Sequence, residues 1–122
     1  MAGKAGRSID DLLWHIVEWG ERLEKVVGNV SWLEFSESEL HRLAASKCIE
    51  AIGEAAGNLR KLHPDFVSKH PELAFEQAYR TRNRLSHGYD TIDWSVVWAT
   101  ARRYVPELVR HARGLMAQND GQ

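Results

Sequence analysis

Eight consecutive residues, Arg82-Asn83-Arg84-Leu85-Ser86-His87-Gly88-Tyr89, gather two guanidiniums, an amide, an imidazole and a phenol. Those groups suffice to hold a phosphodiester and move a proton beside it. Histidine, with an ordinary pKa of about 6.5, can serve as base or acid near neutral pH. Arginine offers forked hydrogen bonds to a phosphate whose charge grows in the transition state. RNA carries its own nucleophile, the 2′-hydroxyl. Its cleavage therefore needs only a base for that proton, positive charge on the phosphate and an acid for the departing oxygen. No set of carboxylates and histidines in the sequence has metal-ligand character, so a route without metal or other cofactor is expected. An arginine-rich helix end with a histidine in its last turn has a plainer reading as well, because cations there offset the helix dipole and cap its last carbonyls.

Geometry constrains how these groups can cooperate. Asn83 and His87 are four apart and share a helix face, whereas Arg82 and His87 are five apart and diverge by about 140° on a regular helix. Three arrangements answer this. The last turn distorts before Gly88; or Arg82 orients structure while Asn83 aligns the imidazole; or the site forms between two chains, each contributing one helix end. Arg80, Arg82 and Arg84 spread around the helix, so some point toward packed or interfacial surface, where a guanidinium needs a carboxylate or phosphate partner.

The elements that must carry this stretch are helical throughout. Ser8 followed by Asp11 reads as a cap, and Ile9, Leu12, Leu13, Ile16, Leu23 and Val27 recur at helical spacing, predicting a helix over 9–27 that ends in a left-handed cap at Gly28-Asn29. A connector, 30–35, brings Trp32 and Phe35 back onto the core. Ser36-Glu37-Ser38-Glu39 reads as a capping box opening a second helix over 37–62, with Leu40, Leu43, Ala44, Cys48, Ala51, Ile52, Ala55 and Leu59 as its buried stripe. Gly53 and Gly57, one turn apart, predict close approach of another helix from this chain or a second copy. Pro64 and Pro71 bound a bent connector, and a third helix runs from near Pro71 through the motif to a stop at Gly88. Asp93 caps a fourth helix through Trp94, Val97, Trp98, Ala101, Val105, Leu108, Ala112 and Leu115, with a kink expected at Pro106. Nothing alternates with the period of a strand. The expectation is an all-α, up-and-down bundle of four to five helices, a single domain over 1–122, with residues 1–7 and 118–122 as flexible ends.

Composition narrows the setting. With 43% hydrophobic residues the chain can bury a core, and the lone cysteine, Cys48, reads as core filling rather than as a reactive thiol. No run approaches the length of a membrane span and residues 1–7 lack the apolar core of a signal peptide, so a cytoplasmic protein is expected. The net charge of -1 conceals an asymmetry: residues 1–79 carry 9 Lys+Arg against 13 Asp+Glu, and residues 80–122 carry 7 arginines against 4 acids. The basic excess begins at the motif and can attract a polyanion, unless those arginines pair with acids of the first helices.

Arg82, four residues, His87, one residue, Tyr89 resembles the R-x(4–6)-H-x-Y signature of HEPN-domain ribonucleases, with Asn83 matching the polar residue after the arginine. The text Tyr79-Arg80-Thr81-Arg82-Asn83-Arg84-Leu85-Ser86-His87-Gly88-Tyr89, followed by Ile92-Asp93 and preceded by Ile52-Gly53-Glu54-Ala55-Ala56, resembles the HepT subfamily specifically. The resemblance implies an all-α homodimer that acts as the toxin of a type VII toxin–antitoxin pair and cleaves RNA in a cleft at the dimer interface. Arg82 and His87 would then be catalytic, and Asn83 and Arg84 supporting. The implied partner is a nucleotidyltransferase antitoxin that transfers AMP from ATP to Tyr89. A rival reading makes this chain a non-catalytic helical partner of a minimal nucleotidyltransferase, with the motif binding nucleotide or that partner.

Overall fold

The computed structural model of the chain describes residues 8–87 and 89–120, the side chains of Ser86, His87, Tyr89 and 118–120 excepted. Residues 1–7 and 121–122, expected as flexible ends, lie outside the described residues, as does the stop expected at Gly88. Every regular element among the described residues is helical: α1 (Ile9–Val27), α2 (Trp32–Glu37), α3 (Glu39–Leu62), α4 (Pro64–Lys69), α5 (Phe75–His87), α6 (Trp94–Ala99) and α7 (Val105–Asp120), with short 3₁₀ turns at Pro71–Leu73 and Tyr89–Thr91. The fold is therefore all-α. Helix α3 packs on α1 and on α5, and α1 packs on α7.

Helix α1 begins as the sequence predicts, with the Asp11 N–H donating to the Ser8 hydroxyl at 3.0 Å. Its inward stripe is Leu12, Leu13, Ile16, Val17, Leu23 and Val27, and His15 stays exposed. The left-handed cap expected at Gly28 does not form. Gly28 keeps right-handed helical angles (φ -66, ψ -30) and donates back to the Glu24 carbonyl. Arg102 covers the helix end instead, its guanidinium donating to the Val27 carbonyl at 3.0 Å, which satisfies one of the carbonyls a helix leaves open.

The serine signals sort differently from the sequence reading. The capping box is Ser31 with Glu34, whose side chains and backbone amides bond reciprocally at 2.9 and 3.1 Å, and it starts a separate short helix, α2, inside the expected connector. Ser36 is spent within that helix, its hydroxyl donating to the Leu33 carbonyl. Ser38, extended at φ -106, then caps α3 by accepting from the His41 N–H. Trp32 and Phe35 fold back onto Trp94 and Trp98, with Phe35 fully buried and 5.0 Å from the Trp98 ring centroid.

The buried stripe of α3 also differs. Cys48, Ile52, Ala55 and Leu59 face inward, joined by Ala45, Ile49, Gly53 and Ala56, whereas Leu40 is 76% and Leu43 49% exposed and Ala44 and Ala51 are half-buried. A helix touched by α1 on one side and α5 on the other buries a broad face. That face is centred on small residues, and the large leucines of its first turns fall outside it. Burial holds the Cys48 thiol above its usual pKa, as its core position requires.

Pro64 opens α4 in its first turn. The third long helix does not start at Pro71: Ala74 turns left-handed at φ 50, and α5 begins one residue later. The Tyr104 hydroxyl secures that turn by lying 2.9 and 2.8 Å from the Leu73 and Ala74 carbonyls. Asp93 caps α6 as expected, accepting from the Ser95 N–H. Between α6 and α7 the helix widens to a π-turn over Thr100–Tyr104, immediately before Pro106. Proline has no N–H and its ring crowds the preceding turn, so the hydrogen-bond ladder is interrupted and widened there before the chain continues as helix to Asp120.

Candidate functional site

Helices α3 and α5 run antiparallel: Gly53 faces Ala78 and Arg82, and one turn further along α3 Gly57 faces Tyr79. A methyl group on Gly53 would come within 2.8 Å of the Ala78 carbonyl oxygen and 2.9 Å of the Arg82 Cγ. The glycines expected to admit a second helix thus admit α5 of the same chain. Gly in a helix interior costs about 1 kcal/mol relative to Ala, and the close approach of the Arg82 stem is what it allows here.

Arg82 is half-buried and lines an open cleft of 490 Å³ between the two helices. The cleft's other polar groups come from α3: Glu54 and Asn58, then Arg60 and Lys61 in its last turn. Tyr79 forms the far wall, with the Arg60 guanidinium 5.0 Å from its ring centroid. Sequence reasoning did not single out Glu54, Asn58, Arg60, Lys61 or Tyr79 as site residues. The usable signal was the glycine pair, because residues one turn beyond Gly57 on the same face must border whatever hollow the glycines open.

The other arginines of the motif part company, as their spacing requires. Arg80 is exposed and pairs with Glu76 at 3.1 Å along its own helix. Arg84 is exposed on the opposite side of α5 from Arg82, where it borders a 320 Å³ hollow with Asp93 and the apolar side chains of α6. The Asp93 carboxyl is held below its usual pKa by hydrogen bonds from Ser95, with a smaller contribution from the Arg84 charge. Asn83 is half-buried one turn before His87. His87 is the last residue of α5 and Tyr89 opens the following 3₁₀ turn. Their side chains, the expected catalytic imidazole and the expected AMP acceptor, lie outside the described residues. Among the described residues no group of three His, Cys, Asp or Glu side chains could hold a metal ion, and no helix is long and apolar enough to cross a membrane.

Basic residues late in the chain are partly consumed by acids. Arg113 of α7 pairs with Glu21 of α1, and Arg110 with Glu107. The cleft beside Arg82 holds three cations against one carboxylate.

The family model described as Ribonuclease HepT-like matches residues 16–115, which includes α3, α5 and the whole motif. The probable ribonuclease HepT of Thermococcus cleftensis is 31% identical over 84% of this chain and 90% of its own length. A candidate RNase of Methanocaldococcus jannaschii is 28% identical over 95% of this chain and 93% of its own, and one of Caldanaerobacter subterraneus 28% over 85% and 90%. No solved structure matches the chain.

Proposed function

The chain belongs to the HepT-like ribonuclease family, and from that premise we propose that it is a metal-independent endoribonuclease toxin acting as a homodimer. The observation that carries the reading is the position of Arg82: half-buried in an electropositive cleft, five residues before a histidine that ends the same helix. In the proposed reaction one His87 takes the proton from the RNA 2′-hydroxyl, the O2′–P bond forms and the P–O5′ bond breaks. The His87 of the second copy gives a proton to the departing O5′, leaving a 2′,3′-cyclic phosphate and a 5′-hydroxyl. Arg82 stabilises the phosphorane charge. Asn83, on the same face as His87, orients the imidazole, and Arg84 adds positive charge at the same helix end. A dimer suits the motif because Arg82 and His87 diverge by about 140° on one helix and two helix ends can share a cleft.

The nucleotidyltransferase partner belongs to the same reading. The Tyr89 phenol oxygen would attack the α-phosphate of ATP held by that partner, pyrophosphate would leave and the phenol proton would pass to solvent. The added adenylate is bulky and anionic. Two residues from His87, it would obstruct RNA and repel its phosphates, which turns the toxin off.

The test is cleavage of single-stranded RNA by the purified chain in chelator. The expected result is cleavage by the wild type, lost by about 10²–10³-fold in Arg82→Ala and at least as strongly in His87→Ala, with both variants folded. A folded wild-type chain that cleaves no RNA, while still assembling with the nucleotidyltransferase, would favour the non-catalytic partner instead.

A further inference from the structure

The cleft between α3 and α5 reaches well beyond Arg82, and its far end has no role in the reaction above. Because the helices are antiparallel, moving along α3 from Gly53 to Gly57 and Arg60 means moving back along α5 from Arg82 to Tyr79, away from His87. At a rise of 1.5 Å per residue, Gly53 to Arg60 covers roughly 10 Å, the reach of one or two nucleotides of extended strand. The cleft is thus a channel with Arg82 at the end nearer the motif and Arg60 and Lys61 at the other.

We propose that this channel is an RNA-strand subsite in which Arg60 and Lys61 bind a phosphodiester one or two nucleotides to one side of the scissile one. The inference rests on the ribonuclease reading and adds to it where the strand runs. Three observations carry it. Arg60 and Lys61 share one cleft with Arg82 against the single carboxylate of Glu54, so the hollow is electropositive in a chain whose net charge is -1. The Arg60 guanidinium lies 5.0 Å from the centroid of the Tyr79 ring, which sets a cation and an aromatic group, the two kinds of surface on which bases stack, side by side in the cleft. Gly53 and Gly57 let α5 lie close against α3, which sets Arg82 and Tyr79 along the same cleft as Arg60 and Lys61. Basic residues in the last turn of α3 also offset that helix's dipole. That role alone would tie Arg60 and Lys61 to the stability of α3 and leave RNA affinity untouched, so binding separates the two.

The experiment measures binding of a 12-nucleotide 2′-O-methyl RNA, which lacks the nucleophile and cannot be cut, by fluorescence anisotropy across a KCl series. Each protein is the full chain, with folding checked by circular dichroism. Removing one cation that neutralises a phosphate should reduce the steepness of log affinity against log salt by about 0.7 for a single strand. The Arg60→Ala/Lys61→Ala variant should therefore bind several-fold more weakly at low salt, with a slope shallower by about 1.4, and Lys61→Arg should bind like wild type. Arg110→Ala/Arg113→Ala, which removes the same charge from α7, should leave affinity and slope unchanged. Equal affinity and slope for wild type and the Arg60/Lys61 variant would overturn the inference, and so would an equal loss in the Arg110/Arg113 variant. The ribonuclease reading fails separately: a wild type that shows this slope difference yet cuts no unmodified RNA would sink the enzyme and leave the strand subsite standing.

Discussion

Gly53 of α3 lies so close beneath Arg82 of α5 that a β-carbon on it would sit 2.9 Å from the Arg82 Cγ. One residue type therefore sets both how closely the two helices pack and where the motif arginine emerges. Replacing Gly53 with alanine gains about 1 kcal/mol of helix propensity but forces a methyl group against the Arg82 stem and the Ala78 carbonyl, an overpacking that costs roughly 1–3 kcal/mol. The Ala78 oxygen is backbone and cannot swing aside. Net destabilisation is expected in thermal unfolding, with displaced Arg82 and reduced activity. Gly114→Ala is the control: nothing lies within 4 Å of its β-carbon position, so it should stabilise the protein by about 0.8–1.0 kcal/mol. Gly53→Ala melting at or above the wild-type temperature would show that α5 is not held against α3 at this point.

Tyr104 ties the π-turn to the start of α5 through its hydroxyl, which lies within hydrogen-bond distance of the Leu73 and Ala74 carbonyls. Burial raises the phenol's pKa well above the ordinary range, so it stays a neutral donor at any physiological pH. Tyr104→Phe should cost about 0.5–1.5 kcal/mol, the net worth of an ordinary hydrogen bond, because the part-buried bond to Leu73 is lost while water can reach the exposed Ala74 carbonyl. Denaturant unfolding of the two proteins measures it, and a difference under about half a kcal/mol would mean the left-handed turn at Ala74 holds without the tyrosine.

Acid should loosen the helix starts. Asp93 is lowered by its hydrogen bonds from Ser95, Glu34 by its backbone and side-chain bonds to Ser31, and Glu72 first by a backbone hydrogen bond and then by His70. A carboxyl with a depressed folded pKa binds its proton more weakly folded than unfolded. Its contribution is fully present above the ordinary values of 3.8 for Asp and 4.5 for Glu, and is lost as pH falls through the lower folded values. Melting temperature should therefore fall as pH drops below the ordinary carboxylate values of 4.5 and 3.8, and Asp93→Asn should flatten part of that decline. All three groups are exposed, so salt should weaken the effect. An Asp93→Asn variant with the wild-type acid profile would contradict the role given to this cap.

Tyr89 modification has its own readout. Incubation with the nucleotidyltransferase partner and ATP should add the mass of one adenylate to the chain and suppress RNA cleavage. Tyr89→Phe should gain no mass and remain active under the same treatment. Equal modification of the phenylalanine variant would move the acceptor to another residue.

Local signals in the sequence translated into structure where one interaction dominates. Ser8 and Asp93 cap as read, Cys48 is core, and the Gly53–Gly57 pair did foretell a close helix. They failed where several residues compete for one role. Three serines and three glutamates between 31 and 39 can form more than one cap, and the backbone break at Ser38 decides among them. Leu40 and Leu43 fit the helical period, yet burial depends on where α1 and α5 touch α3, which periodicity does not contain. The π-turn before Pro106 is a compromise between proline sterics and the packing of α7 on α1, and it has no residue pattern of its own. At the site, the motif residues were legible as chemistry, while the channel toward Arg60 and Lys61 emerged only from the antiparallel pairing of two helices.

The most direct test of the central claim is the chemistry of the cut ends. Purified protein in chelator should cleave an all-ribose oligonucleotide to fragments ending in a 2′,3′-cyclic phosphate and a 5′-hydroxyl, and should spare the same oligonucleotide with 2′-deoxyribose at the cut position. His87→Ala, folded, should cleave neither. Fragments bearing 5′-phosphates, cleavage of the deoxy-substituted strand, or equal cleavage by His87→Ala would contradict an imidazole-driven attack by the RNA's own hydroxyl.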